Sequence, residues 1–177
     1  MPFKPSVIYW DTCVFLSVLQ KNERRLPDLV KIISEAENNR LVIVTSALTI
    51  AETSFIDGRE STTDVVKQAE TIRQFFEMDY FDIRPVDRTI GASAADIVRK
   101  HKGVTPSDAI QIATAFAAKC QCLYTYDGDN ITGRRRRGKL LPLDGKIVLP
   151  KKLPLSIKTP DKFFSSSPHP LLDQLPD

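Results

Sequence analysis

The chain is poor in the residues that build thiolate metal centres or imidazole catalysis: its 177 residues include three cysteines and two histidines. Cys120 and Cys122 stand one residue apart with no second pair at usable spacing, which argues against a His/Cys zinc site. His101 ends a predicted helix between two lysines, and His169 falls in a Pro/Ser stretch, so neither is placed to act as a base. Cys13, Cys120 and Cys122 all lie in apolar surroundings, an odd count that reads as reduced thiols in a cytoplasmic protein. No apolar run approaches the roughly 20 residues that span a bilayer. The N-terminus shows neither a basic leader nor a small-residue cleavage site, so neither membrane insertion nor export is expected.

What is present is an ordinary globular composition, 42% hydrophobic and 27% charged, suited to one domain. The net charge of +3 conceals an asymmetry. Residues 1–129 carry 15 basic and 18 acidic side chains, whereas residues 130–177 carry 10 and 4. An acidic body with a basic C-terminal segment suits a protein that gathers cations at one place and polyanions near another.

Short apolar runs alternate with helical patterns along the chain. Strands are expected at 6–10 (SVIYW), 41–45 (LVIVT), 81–86 (FDIRPV, an edge because of Pro85), 122–126 (CLYTY) and 146–150 (KIVLP). Helices are expected at 12–20, 27–38, 47–57 (capped by Ser46 and ending at Gly58), 63–78 and 88–101. The segment TPSDAIQIATAFAAKC is polar only at Gln111 and Thr114 through its middle, as a central, buried helix would be. Fully apolar strands alternating with helices predict a three-layer α/β/α sandwich around a mostly parallel sheet. It should occupy residues 1–150, with 151–177 as an extended or disordered Pro/Ser-rich tail.

On that framework four acids take similar positions. Asp11 and Asp127 each follow an apolar strand, Glu52 lies about two turns into the helix after the second strand, and Asp108 opens the buried helix. Each has an ordinary explanation. Thr105, Pro106 and Asp108 form a capping box, Glu52 could be a helix-surface residue, and a strand-end aspartate often caps the next helix. Together they would meet at the carboxyl edge of the sheet, where open α/β sheets bind ligands. Four clustered carboxylates repel one another unless a cation joins them, and Mg²⁺ or Mn²⁺ prefers oxygen ligands of this kind.

VIYWDT, SALTIAET, TPSDAIQIATA and LYTYD, in this order and spacing over residues 6 to about 150, resemble the four acidic signatures of PIN-domain ribonucleases. The resemblance, which extends to the VapC-type toxin nucleases, implies a parallel-sheet sandwich. It assigns Asp11, Glu52, Asp108 and Asp127 as the catalytic metal site, with Asp129 as a fifth acid and Thr12 and Thr125 as supporting hydroxyls. It implies one or two Mg²⁺ or Mn²⁺ ions, cleavage of single-stranded RNA, and for toxin-type members a homodimer held inactive by an antitoxin.

The segment after Asp127 departs from the short connection common in small relatives: GDNITGRRRRGKLLPLDG carries Arg134, Arg135, Arg136 and Arg137 in a row. Beside an acidic site such a run could hold RNA phosphates, although like-charge runs are most often solvated loops. Phe75 and Phe76 in helix 63–78 read as core rather than interface. The alternative to a nuclease is a non-catalytic RNA-binding module of the same fold. A phosphatase with an aspartate nucleophile is disfavoured because Cys13 stands where its second aspartate is needed. A receiver domain is disfavoured because residues 7–12 offer one acid only.

Overall fold

The computed structural model describes residues 5–54, 62–129, 140–149 and 153–166. Five strands form one sheet in the order β3-β2-β1-β4-β5, every pair parallel. The strands are β1 (Ser6–Trp10), β2 (Leu41–Ser46), β3 (Phe81–Arg84), β4 (Cys122–Tyr124) and β5 (Ser156–Lys158). The helices are α1 (Thr12–Leu19), α2 (Leu26–Glu37), α3 (Ala47–Thr53), α4 (Thr62–Phe76), α5 (Arg88–Lys100), α6 (Pro106–Ala117) and a final turn, α7 (Phe163–Ser166).

Strand alternation divides the core into two layers. Tyr9, Val44, Leu123 and Ile157 face α5 and α6, whereas Ile8, Trp10, Ile43 and Tyr124 face α1, α2, α4 and α7. The second layer holds an aromatic cluster in which Phe15 lies 5.5 Å from Trp10, 5.0 Å from Phe76 and 5.3 Å from Phe81 between ring centroids. Phe76 is buried and Phe75 packs against the same cluster, as expected for core side chains. Helix α6 is buried from Ala109 to Phe116 with the exception of Ile110, which is half-buried. This is the central helix that its near-absence of polar residues predicts.

Of the predicted strand at 146–150, the described residues 146–149 form no strand, and Pro150 lies outside the described residues. Ile147 is fully buried, but the segment follows a turn through Gly145 and Lys146 and enters no ladder. The fifth strand comes later, at Ser156–Lys158, where Cys122, Leu123 and Tyr124 pair with Ser156, Ile157 and Lys158. The earlier segment meets the approach to that strand at Leu155. Leu155 N–H donates to Ile147 O at 3.2 Å, and Gly145 N–H donates to Leu155 O at 3.1 Å. The sheet therefore extends past residue 150, and Leu155, Ile157 and Phe163 are core residues. Residues 167–177, and the predicted end of the third helix near Gly58, lie outside the described residues.

The sheet order also locates a site. The winding starts at the centre in β1, runs outward through β2 and β3, then returns to β4 on the other side of β1. The carboxyl ends of β1 and β4 flank the point where the winding reverses, which is where crevices open in such sheets.

If β5 is integral to the core, Ile157→Ala should destabilise the protein by roughly 2–5 kcal/mol, the range for truncating a buried isoleucine. Urea denaturation checks this; a change near zero would return residues 153–166 to the status of a loosely attached tail.

Candidate active site

Asp11 follows β1 directly, and Trp10 pairs with Tyr124, so the next residues on the two strands, Asp11 and Thr125, stand side by side. The Thr125 hydroxyl donates to Asp11 Oδ2 at 2.7 Å, the Cys13 thiol donates to the same oxygen at 3.1 Å, and Thr12 N–H donates to Oδ1 at 2.8 Å. The last of these makes Asp11 the N-cap of α1. Burial nevertheless raises the Asp11 carboxyl to about 6, against the downward pull of these bonds and with a further upward push from Asp108. Burial also holds the Cys13 thiol well above its ordinary value, so it stays protonated and donates.

Glu52 reaches the same place from α3. Its Oε1 accepts from the Ser107 hydroxyl; its Oε2 accepts from the Thr12 hydroxyl and, at 3.1 Å, from Gln111 Nε2. Asp108 combines its capping role with the site: Thr105 N–H donates to its Oδ2, and its own N–H donates to Thr105 Oγ1, both at 3.2 Å. Asp127 N–H donates to Thr125 Oγ1 at 2.9 Å, and Leu140 N–H donates to Asp127 Oδ2 at 3.1 Å. Thr125 thereby joins Asp11 to the segment that carries Asp127.

The four acids line one open depression of about 590 Å³, together with Thr12, Cys13, Leu16, Leu48, Ala51 and Ser107. Among the described residues, no lysine, arginine or histidine lines it. The side chains that bond Asp11 and Glu52 (Thr125, Cys13, Ser107, Thr12 and Gln111) are neutral donors, which orient a carboxylate without cancelling its charge. No three His, Cys, Asp or Glu side chains among the described residues lie close enough to enclose a metal ion as they stand. The donor set itself is all carboxylate and hydroxyl oxygen apart from the Cys13 thiol, so it fits a hard divalent cation better than zinc.

Asp129 is not brought to the depression. Its Oδ2 lies 3.6 Å from Arg25, whose guanidinium stacks 3.8 Å above the Tyr126 ring and donates to Ser17 Oγ at 3.1 Å. The expected fifth acid therefore has a cation from the protein itself. Arg134 to Arg137, expected to contact RNA, lie outside the described residues.

Sequence reasoning missed Ser107, Gln111 and Cys13 as neighbours of the acids. Gln111 had a legible signal, being one of two polar residues in the middle of an apolar helix, since a polar group that must be buried must also be bonded. Ser107 and Cys13 carry no such mark.

Burial pushes Asp11 upward, so its ionised form is the costly one in metal-free protein. The stability linked to its protonation is fully present below an unfolded carboxyl's pKa of about 4 and is lost as pH rises through about 6. Metal-free Asp11→Asn should therefore be more stable than the parent at pH 7–8, by about 1–3 kcal/mol, and lose that advantage near pH 4. Added Mg²⁺ should stabilise the parent and leave the variant unchanged. Thermal melts at both pH values check each statement.

Comparison with known proteins places this geometry. The family profile described as "PIN domain" matches residues 8–133. No curated protein sequence matches the chain. Among solved structures, the fold is similar to that of Mycobacterium tuberculosis VapC20, a sarcin–ricin-loop-cleaving toxin, with a TM-score of 0.56. That likeness is at 16% identity over 72% of this chain and 95% of the other. FitAcB from Neisseria gonorrhoeae is matched with a TM-score of 0.49 and 19% identity, over 86% of this chain and 97% of that one. The profile covers most of the sheet and all four acids of the depression, and the chain belongs to the PIN-domain family.

Proposed function

We propose that this protein is a metal-dependent endoribonuclease that hydrolyses phosphodiester bonds of single-stranded RNA. The observation that carries the reading is the depression at the sheet's reversal point, which four carboxylates line with no cationic side chain among the described lining residues. One or two Mg²⁺ or Mn²⁺ ions are the cations its oxygens suit. Asp11, Glu52, Asp108 and Asp127 would hold them. A bound ion of this kind supplies an activated water and charge relief at the phosphate, so no histidine base is needed.

The chain's own residues do the rest. Thr125 keeps Asp11 aimed across the gap between β1 and β4, and Thr12 and Ser107 each hold one oxygen of Glu52. The capping box fixes Asp108 at the mouth of α6, where the helix N-terminus favours negative charge. The open form of the depression suits an extended strand of nucleic acid. The fold shared with a toxin that cleaves the sarcin–ricin loop favours a toxin role, with an antitoxin as partner and a cytoplasmic place of action.

Cleavage of single-stranded RNA should require Mg²⁺ or Mn²⁺ and stop in EDTA. Asp11→Asn and Asp108→Asn should each lower it by more than about 100-fold, since even residues one step removed from a metal cost 10–100-fold. Asp108→Asn should also cost about 0.5–1 kcal/mol of stability through its cap. RNA bound but uncut by highly purified protein under every metal condition would replace this reading with a non-catalytic RNA-binding module.

Replacing Arg134 to Arg137 by Gln should weaken RNA binding and flatten its dependence on salt, because a protein that neutralises fewer phosphates displaces fewer counterions. Binding isotherms at several salt concentrations measure this, and an unchanged slope would make the run a bystander.

A further inference from the structure

Beneath the acidic depression lies a second polar structure that solvent does not reach. Tyr9, Thr45, Thr49 and Gln111 are buried to 1% exposure or less, beside a layer of aliphatic and aromatic side chains. They come from β1, β2, α3 and α6, and their bonds run upward to Thr12 and Glu52 at the floor of the site.

The orientation of the Gln111 amide follows from its neighbours. A carboxylate only accepts hydrogen bonds, so the Gln111 atom 3.1 Å from Glu52 Oε2 is the NH₂ group. The amide oxygen then turns down to Tyr9, whose hydroxyl donates to it. Gln111 Nε2 has two hydrogens and three acceptors in range: Thr12 Oγ1 at 2.9 Å, Glu52 Oε2 at 3.1 Å and Thr49 Oγ1 at 3.2 Å. Donation to Thr12 and Glu52 leaves the Thr12 hydroxyl with its own hydrogen for the same Glu52 oxygen. One amide thus sets both the second bond to Glu52 and the direction of the first.

We propose that Gln111, locked by Tyr9, is a positioning residue that orients Glu52 and Thr12 for cation binding. The inference rests on the nuclease reading above. A residue that served only to fill the core would need no polar atom there, and an apolar side chain of the same volume would avoid the cost of burying the amide. The amide's bonds instead lead to two residues that line the depression.

The test measures Mn²⁺ affinity by titration calorimetry on folded, RNA-free protein, with circular dichroism to verify the fold. Gln111→Leu keeps the volume and removes the donors. Tyr9→Phe keeps the amide and removes its lock. Thr114→Val is the control, removing a buried hydroxyl from the same helix whose bond runs to Ile110 O, away from the site. Gln111→Leu should weaken Mn²⁺ binding by about 10–100-fold. Tyr9→Phe should show a smaller loss in the same direction, and Thr114→Val should match the parent. Unchanged affinity in folded Gln111→Leu overturns the inference while leaving the nuclease reading intact. If Gln111→Leu does not fold, parent-like affinity in Tyr9→Phe overturns it in the same way. A parent protein that binds no Mn²⁺ overturns the nuclease reading and this inference with it.

Discussion

Four carboxylates that share one depression call for compensation, and the described residues lining it contain nothing positive. That constraint organises the molecule around it. A lone buried carboxylate would protonate, as Asp11 begins to do with its carboxyl raised to about 6. Neutral donors lower that tendency without removing it. Thr125, Cys13 and Thr12 N–H all act on Asp11 and still do not outweigh its loss of water. A cation small enough to sit between oxygens would supply the remaining compensation, and the proposal of a metal partner rests on this.

The scaffold answers the same constraint with topology. A parallel sheet sends the ends of all its strands to one edge, and reversal of the winding between β1 and β4 opens that edge in the middle. Asp11 and Thr125 are neighbours because Trp10 and Tyr124 are paired, so the register of two strands sets the spacing of the site. Helix N-termini then carry the acids to the opening. Asp11 and Asp108 are caps as well as site residues. The two explanations available for each from sequence are therefore compatible, since a cap is a carboxylate held where a helix begins, and α1 and α6 begin beside this opening.

How much of this could be read from residues alone depended on how local the cause was. β1 and α6 declare themselves through apolar runs, and the acids through their position after those runs. The last strand did not, because two segments competed. KIVLP is the more apolar, yet it is buried by packing, with Ile147 in the core and a proline that cannot donate to a ladder. SIK begins two residues after a proline, is only three residues long and has one buried side chain, but it carries the correct register against β4. Burial was legible there and pairing was not. The same holds for Ser107 and Cys13, whose importance depends on a partner 55 residues away in one case and on a neighbouring strand in the other.

Asp129 shows how the fold sorts residues of one type. It stands two positions from Asp127 and belongs to the same loop, where the sequence resemblance adds it as a fifth acid behind the quartet. The structure separates them by where each carboxylate is turned. Asp129 meets Arg25, itself stacked on Tyr126 and bonded to Ser17, a set of contacts that leaves the guanidinium little freedom to turn elsewhere. Asp127 instead lines the depression, tied to it through its own N–H on Thr125 and through the N–H of Leu140 on its Oδ2. Acidity and proximity in sequence therefore do not decide membership of the site. Two acids of one loop thus take different places, Asp129 against an arginine of the protein and Asp127 at the wall of the depression.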